Sequence, residues 1–295
     1  MKKTILILLT FAIVASQPFI SNAFPISIKD DLGNSLTLNK TPQRIISAIP
    51  SNTEILAALG LGDRLIAVTD LCNYPQSIAR KPRIGSAPLN VERISYLNPD
   101  LVVLLGDAQK KEVTNLKKFS IPVFAINPHS FDDVLASIVK LGKVTGTEKA
   151  ASQLVGQMKD RIKNIRSKFQ VKGKNPKIFV EIGHSPLITA GKNTFINDII
   201  EMVGGRNIGA ASAQPYPAYS AEKLIVEDPD FIIVPVQDEK SKEEMYQTDK
   251  WKNLKAVKNN NILFIDADLL SRPGPRLVDA YEVIAKFIYK KESGK

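Results

Sequence analysis

The chain has 295 residues and a formal net charge of +10, with 44% hydrophobic and 24% charged residues and a single cysteine, Cys72. One cysteine cannot form an internal disulfide, so stability must come from a hydrophobic core, which a chain of this length can bury. The lysines are interspersed with acidic residues and no nucleic-acid-binding motif accompanies them, so we expect no nucleic-acid partner.

The first 23 residues have the pattern of a secretory signal peptide. Lys2 and Lys3 precede an apolar run from Ile5 to about Ala15, and the small residues at 21–23 offer a cleavage site. A membrane anchor is the alternative, but the run is shorter than the roughly 20 apolar residues that a spanning helix needs. We therefore predict that residues 1–23 are a cleaved signal peptide and that the mature protein is soluble and periplasmic. No cysteine stands at the predicted cleavage site, so we expect no lipid anchor.

Residues 24–146 predict an N-terminal α/β lobe. It opens with a hairpin between Ile26 and Leu38, after which buried apolar runs alternate with helical patterns, an order that favours parallel strands. Ser51 and Glu54 have the spacing of a capping box, which predicts a helix that begins at Ser51 and ends at Gly60. The expected strands are 44–48, 65–68, 101–105 and 123–126.

Residues 147–171 predict one long helix that joins this lobe to a second. Apolar side chains recur there at spacings of three and four residues, which places them on one helical face. At 1.5 Å per residue, a helix of about 23 residues is roughly 35 Å long and can bridge two lobes. A single helical connection should allow only modest closure on a ligand. The apolar positions are Leu154, Met158, Ile162, Ile165 and Phe169.

Residues 172–295 predict a C-terminal α/β lobe that repeats part of the first. Segment 91–104 returns as 221–234, with Glu, Pro and Asp displaced by 130 residues. Each copy predicts a short helix after a capping residue, Asn90 or Ser220, followed by a strand buried on both faces. The sequence thus predicts an α/β fold of two Rossmann-like lobes with parallel sheets, joined by one long α-helix, with a ligand cleft between the lobes. In this lobe we expect strands at 178–182, 231–236 and 262–265, and helices at 194–203 and 275–289.

Six motifs spread over the chain carry a resemblance to a known family. They are Arg-Ile-Ile-Ser at 44–47, Pro-Ser-Asn-Thr-Glu at 50–54, Asn-Tyr-Pro at 73–75, Asn-Val-Glu-Arg-Ile at 90–94, Pro-Asp-Leu-Val at 99–102 and Ser-Arg-Pro-Gly-Pro-Arg at 271–276. Together they resemble the periplasmic substrate-binding proteins of ABC importers whose lobes are joined by one helix, the receptors for cobalamin, haem and siderophore iron. Within that family the chain is most similar to the vitamin B12 receptors.

The resemblance implies a receptor that captures a corrinoid in the cleft and delivers it to an inner-membrane ABC permease and its ATPase. Haem and ferric siderophores are the alternative ligands. The resemblance also implies no resident cofactor and no metal ion held by the protein itself, and we expect a monomer.

The resemblance implies that Glu92 and Glu222, the acids which the repeat singles out, each dock into arginines of the permease. Two carboxylates, one on each lobe, could make bidentate contacts with arginines of a two-fold permease. The alternative is that each acid only interacts favourably with the dipole of its own helix. Glu54 is assigned to the capping box instead.

Five positions are the candidate ligand contacts. Asp268 and Arg272 correspond to an acid and an arginine that contact corrin side chains, although a local salt bridge that holds their loop is the alternative. Tyr216 stands at the position of a cleft aromatic ring, or else it is a surface ring of the loop. Tyr74 either lines the cleft or buttresses its turn, and the position of a family tryptophan falls near Ser86 or Ala87. Other aromatic cleft positions of the family are aliphatic here and predict a more aliphatic pocket: Leu71, Leu105, Ile182 and Ile188.

Two other classes of protein fit the sequence less well. Receptors for bare metal ions need several histidines, but the chain has only His129 and His184, which excludes a three-histidine site. His184 is either an axial ligand to a bound macrocycle or a satisfied loop residue. Ser-x-x-Lys occurs at 137–140 and 220–223, but the Ser-Asp-Asn and Lys-Thr-Gly elements of such hydrolases are absent, so we expect no enzymatic activity.

Overall fold

A computed structural model describes residues 24–169, 175–237 and 251–292. The predicted signal peptide, and residues 170 and 171 at the expected end of the linking helix, lie outside the described residues. The described chain begins with the expected hairpin, in which β1 (Ile26–Lys29) pairs antiparallel with β2 (Ser35–Leu38). The Asp30 carboxylate holds the turn by accepting the Asn34 N–H at 2.7 Å.

The N-terminal lobe is built on four parallel strands in the order β4-β3-β5-β6. Its helices cover both faces of this sheet, as the alternation of strand and helix in the sequence predicts. The strands are β3 (Ile45–Ser47), β4 (Leu65–Val68), β5 (Leu101–Leu105) and β6 (Val123–Ile126), and the helices are α1 (Pro50–Ala58), α2 (Val91–Tyr96), α3 (Lys110–Lys118) and α4 (Phe131–Thr145).

One helix, α5 (Glu148–Lys168), connects the lobes. Met158 and Ile165 on its apolar face are buried, and Leu154, Ile162 and Phe169 pack against the same core. The helix contacts α4 on one side and the last helix of the chain on the other. Arg161 of α5 forms ion pairs with two acids of that last helix, Asp279 at 2.8 Å and Glu282 at 3.2 Å.

The C-terminal lobe repeats the sheet order of the first lobe. Its parallel strands run β9-β7-β10-β11, so β7 lies between β9 and β10 as β3 lies between β4 and β5. Strand β8 also pairs with β7, but antiparallel. The two-lobe α/β fold with parallel sheets is therefore confirmed. The strands are β7 (Lys177–His184), β8 (Leu187–Thr189), β9 (Arg206–Asn207), β10 (Phe231–Val236) and β11 (Ile262–Asp266), and the helices are α6 (Phe195–Met202), α7 (Ala221–Glu227), α8 (Lys255–Lys258), α9 (Ala267–Ser271) and α10 (Leu277–Glu292).

The core explains why the strands lack polar alternation. In the first lobe, Ile45 and Val103 face a core that continues through α5 into the second lobe. Their neighbours Ile46 and Val102 face a separate cluster on the other side of the sheet. Strands β3 and β5 are thus buried on both faces, and their residues are apolar except for Ser47. Among the helices of the described residues, none has both the length and the apolar character to cross a membrane.

Candidate functional site

A cavity of about 850 Å³ lies where the carboxyl ends of strands from both lobes meet. This is the usual position of ligands in parallel α/β sheets, because loops and helix starts gather there. On the first lobe, Ile49 follows β3, Asp70 and Leu71 follow β4, and Leu105 ends β5; on the second, Val236 ends β10 and Asp266 ends β11.

The cavity wall is aliphatic and acidic. Among the described residues, three carboxylates line it, those of Asp70, Asp266 and Asp268, against one guanidinium, that of Arg272. This acidic wall stands on a chain with a formal net charge of +10, so the cleft differs in sign from the protein as a whole. Leu71, a large apolar side chain at the cavity wall, is 63% exposed.

A buried ion-pair network joins the two lobes beside this cavity. The Glu54 carboxylate of α1 accepts hydrogen bonds from Arg272 Nη1 at 2.9 Å, from Arg276 Nε at 2.9 Å and from Arg276 Nη2 at 2.6 Å. Glu54 is buried, and its hydrogen bond and charge raise the pKa of Arg276. The network therefore ties the start of α1 in the first lobe to the segment before α10 in the second.

Arg272 uses its remaining donors in the same interlobe junction. It forms an ion pair with Asp268 at 2.7 Å and donates to the side-chain oxygen of Asn73 at 2.8 Å. Asn73 in turn donates to Asp268 at 2.9 Å, which closes a ring of contacts across the cleft. The salt bridge between Asp268 and Arg272, the alternative to ligand contact in the sequence analysis, is therefore present. Both residues also line the cavity. Ligand contact by Asp268 and Arg272 stays a prediction.

The predicted capping box at Ser51 is wrong. Helix α1 begins at Pro50, its N-cap is Ile49, and no side chain caps it. Glu54 is therefore the fifth residue of the helix, too far along to reach the N-cap backbone as a capping-box acid does. Pro50 indicates where the helix begins, because proline favours the first position of a helix. The helix therefore begins one residue before Ser51.

Three predicted ligand residues lie outside the cavity wall. Tyr74 is half-exposed, and its ring lies under the guanidinium of Arg276, 4.2 Å from the ring centroid. Tyr216 is also half-exposed, in the loop before α7, and partial burial raises the pKa of its phenol. Ser86 precedes α2, and its hydroxyl is buried without a hydrogen-bond partner. Tyr74 thus stacks on a residue of the other lobe, and ligand contact by all three residues stays a prediction.

Only some of the aliphatic positions predicted for the cleft line the cavity, and His184 does not line it. Leu71 and Leu105 line the cavity, whereas Ile182 and Ile188 lie on β7 and β8, outside its wall. His184 ends β7, and its Nδ1 lies 3.1 Å from the Glu181 carboxylate. Within the described ranges, no three His, Cys, Asp or Glu side chains are grouped to hold a metal ion. Cys72 is buried, with its sulfur 3.1 Å from the hydroxyls of Thr53 and Thr69.

Glu92 and Glu222 occupy equivalent positions in the repeated segments. Each is the second residue of a short helix, α2 or α7, and each is exposed. Asn90 caps the first helix by accepting the Arg93 N–H at 2.8 Å. Ser220 caps the second by accepting the Lys223 N–H at 3.0 Å, as the sequence predicts.

The turns after these helices are also equivalent. Asn98 and Asp228 both adopt the left-handed conformation, with φ of 44°. Two residues after each turn, an aspartate accepts a hydrogen bond from a backbone N–H next to or in a strand of its lobe. Asp100 accepts the Arg44 N–H at 2.9 Å, and Asp230 accepts the Lys177 N–H at 2.8 Å. The two acids at 92 and 222 are thus carried by the same local structure on each lobe.

Comparison with known proteins assigns the family. The family model for periplasmic binding proteins matches residues 45–269. An uncharacterized ABC transporter substrate-binding lipoprotein, YvrC of Bacillus subtilis, is 34% identical over 276 residues, which cover 91% of this chain and 87% of that protein.

Two solved structures share the fold over most of their length. A possible iron-binding (periplasmic solute-binding) protein from Staphylococcus epidermidis superposes with a TM-score of 0.76 and 31% identity, covering 85% of this chain and all of that one. The periplasmic vitamin B12 binding protein BtuF of Vibrio cholerae gives a TM-score of 0.74 and 26% identity, covering 85% of this chain and 98% of that one. Such proteins bind a small ligand and work with a permease and an ATPase, without catalysis. The chain therefore belongs to the periplasmic binding protein family and is a substrate-binding protein of an ABC transporter.

Proposed function

We propose that this protein is a periplasmic receptor that captures a corrinoid between its lobes and delivers it to a membrane permease. The size of the cavity supports a bulky ligand. A volume of about 850 Å³ lies near the top of the roughly 300–1,000 Å³ that small-molecule sites span. A single amino acid or a bare ion would leave most of this space unfilled.

The charge of the cavity wall is the observation that favours a corrinoid over haem. A corrinoid carries mostly neutral amide side chains, whose N–H groups can donate to Asp70, Asp266 and Asp268. Haem carries two carboxylates, which Asp70 and Asp266 would repel, since Asp268 is the acid that is paired with Arg272. Because Arg272 is already paired with Glu54 and Asp268, it leaves little positive charge to compensate.

A ferric chelate is the second candidate ligand. The Staphylococcus epidermidis structure described as possibly iron-binding is 31% identical to this chain, against 26% for the Vibrio cholerae vitamin B12 binding protein. A ferric hydroxamate of neutral or positive charge would tolerate the acidic wall, whereas an anionic catecholate chelate would not.

Delivery is proposed to use Glu92 and Glu222, one exposed acid from each lobe, as contacts for arginines of the permease. We propose that the mature protein is a free periplasmic monomer. The only cysteine of the sequence, Cys72, is buried in the first lobe, which supports a form without a cysteine-linked lipid, although the relative YvrC is described as a lipoprotein.

Isothermal titration of the purified protein with cyanocobalamin, haemin, a ferric trihydroxamate and a ferric catecholate tests the ligand. We expect cyanocobalamin to bind at a ratio of one to one and more tightly than the other three. Asp70→Asn should weaken cyanocobalamin binding, and Asp132→Asn, which changes an exposed acid outside the cavity, should not. Tighter binding of haemin than of cyanocobalamin would refute the corrinoid assignment.

A further inference from the structure

Each helix that carries a proposed docking acid also exposes a large apolar side chain. Tyr96 on α2 is 89% exposed and Val226 on α7 is 82% exposed, the two highest values among large apolar residues in the described chain. They are equivalent residues of the repeat, displaced by the same 130 positions as Glu92 and Glu222. A single exposed apolar side chain needs no explanation, but these two stand at matched positions beside the two proposed docking acids.

Helix geometry places each apolar side chain beside its acid. Ile94 is the buried residue of α2, and Glu92 and Tyr96 stand two residues before and two residues after it. At about 100° per residue, both point about 160° away from Ile94 and lie about 40° apart around the helix. Around buried Leu224, Glu222 and Val226 of α7 have the same arrangement.

We propose that each docking surface is a pair, Glu92 with Tyr96 on one lobe and Glu222 with Val226 on the other. The partner is the ABC permease, which would offer at each of two equivalent places a cation next to an apolar patch. This inference rests on the proposed function and extends it. An apolar side chain beside an ion pair excludes water from it. Aromatic residues such as Tyr96 are also enriched among those that dominate the affinity of protein interfaces.

The repetition of the pair on both lobes and its negative charge point to the permease as the partner that binds these helices. A partner with one site would need only one pair, whereas two matched pairs on duplicated segments fit a partner that is itself built from two equivalent halves. A second copy of this chain in a two-fold contact through one pair would set acid against acid. A membrane surface is disfavoured because the glutamates would be repelled by anionic headgroups.

Biolayer interferometry with the cognate permease–ATPase complex in nanodiscs tests the pair. Tyr96→Ser combined with Val226→Ser should weaken binding of the receptor by about tenfold, with cyanocobalamin affinity and thermal stability unchanged. Tyr96→Ser alone should weaken binding more than Val226→Ser alone, since the aromatic ring buries more area. Phe119→Ser combined with Val139→Ser removes two exposed apolar side chains elsewhere and is the matched control, expected to bind as the unchanged protein does.

The double change Glu92→Ala and Glu222→Ala separates this inference from the proposed function. If that change abolishes binding while the Tyr96 and Val226 variant matches its control, the acids dock and the apolar inference is wrong. If none of the variants changes binding, docking through these helices is itself wrong. Analytical ultracentrifugation and flotation with anionic vesicles complete the test: a dimer or vesicle binding that depends on Tyr96 and Val226 would overturn the permease as the occupant.

Discussion

The guanidinium of Arg276 makes two parallel hydrogen bonds to the carboxylate of Glu54, although the residues are 222 positions apart and belong to different lobes. Arg272 shares the same carboxylate, so one buried acid pairs with two cations at the lobe junction, and Asp268 supplies the second negative charge. Bidentate pairs of this kind fix geometry as well as charge. The relative position of the lobes beside the cavity therefore depends on Glu54.

Glu54→Gln should destabilise the protein by about 3–5 kcal/mol, because it leaves the largely buried Arg276 without its ion-pair partner and leaves Arg272 with Asp268 alone. Urea denaturation measures the change. Glu92→Gln is the control, since Glu92 is exposed, and its effect should stay within about 0.5 kcal/mol. Equal stability of the two variants would show that the ion pair does not hold the lobes together.

Arg272→Ala should lower the affinity for cyanocobalamin, because Arg272 lines the cavity and holds Asp268 in place. Arg272→Lys should recover only part of it, since lysine cannot reproduce the fork of hydrogen bonds to Glu54 and Asn73. Titration calorimetry gives the affinity, and circular dichroism checks that both variants are folded. Unchanged affinity in a folded Arg272→Ala variant would remove this residue from the binding site.

The stabilising effect of Asp230 should depend on pH. Burial alone would raise the pKa of Asp230, but hydrogen bonds from Lys255 and from the Lys177 N–H outweigh it and lower the pKa below the ordinary 3.8. The stability from this carboxylate is therefore present above about pH 4 and is lost as the pH falls through the lowered value. Asp230→Asn should cost about 1–2 kcal/mol at pH 7, and its difference from the unchanged protein should shrink toward pH 3. Urea unfolding at several pH values measures this, and a constant difference would contradict it.

Gly191→Ala should destabilise the second lobe by about 1–3 kcal/mol through overpacking. A Cβ at Gly191 would stand 1.9 Å from the carbonyl oxygen of Gln214, in the segment that leads to Tyr216. Gly156→Ala in α5 is the matched control, because its Cβ would meet nothing within 4 Å and should stabilise the helix by about 0.5–1 kcal/mol. Thermal unfolding of both variants tests whether Gly191→Ala lowers the stability and Gly156→Ala raises it.

Most strands could be predicted because their signal is local. The runs at 65–68, 101–105, 123–126 and 231–236 are apolar throughout and are bounded by turn residues, and the structure has strands with these bounds. The short strands β8 and β9 were not predicted, since two or three residues carry no periodic pattern. The repeat predicted the two matching lobes because duplicated segments fold alike.

The site could be predicted only where a motif marks it. Asp268 and Arg272 came from the resemblance and do line the cavity. Asp70 and Asp266 were missed, because an acid after a buried strand is also common in solvent-exposed turns. The partnership of Glu54 with Arg276 was missed since no spacing or periodicity relates residues 222 positions apart. Such contacts are decided by how the lobes pack.

Uptake by the reconstituted transporter tests most directly whether the two lobes act as matched halves of one delivery surface. Proteoliposomes containing the permease and its ATPase are supplied with cyanocobalamin-loaded receptor carrying Glu92→Ala, Glu222→Ala or both changes. We expect each single change to slow ATP-dependent uptake and the double change to abolish it, with the affinity for cyanocobalamin intact. Uptake by the double variant at the rate of the unchanged receptor would contradict docking through these two acids.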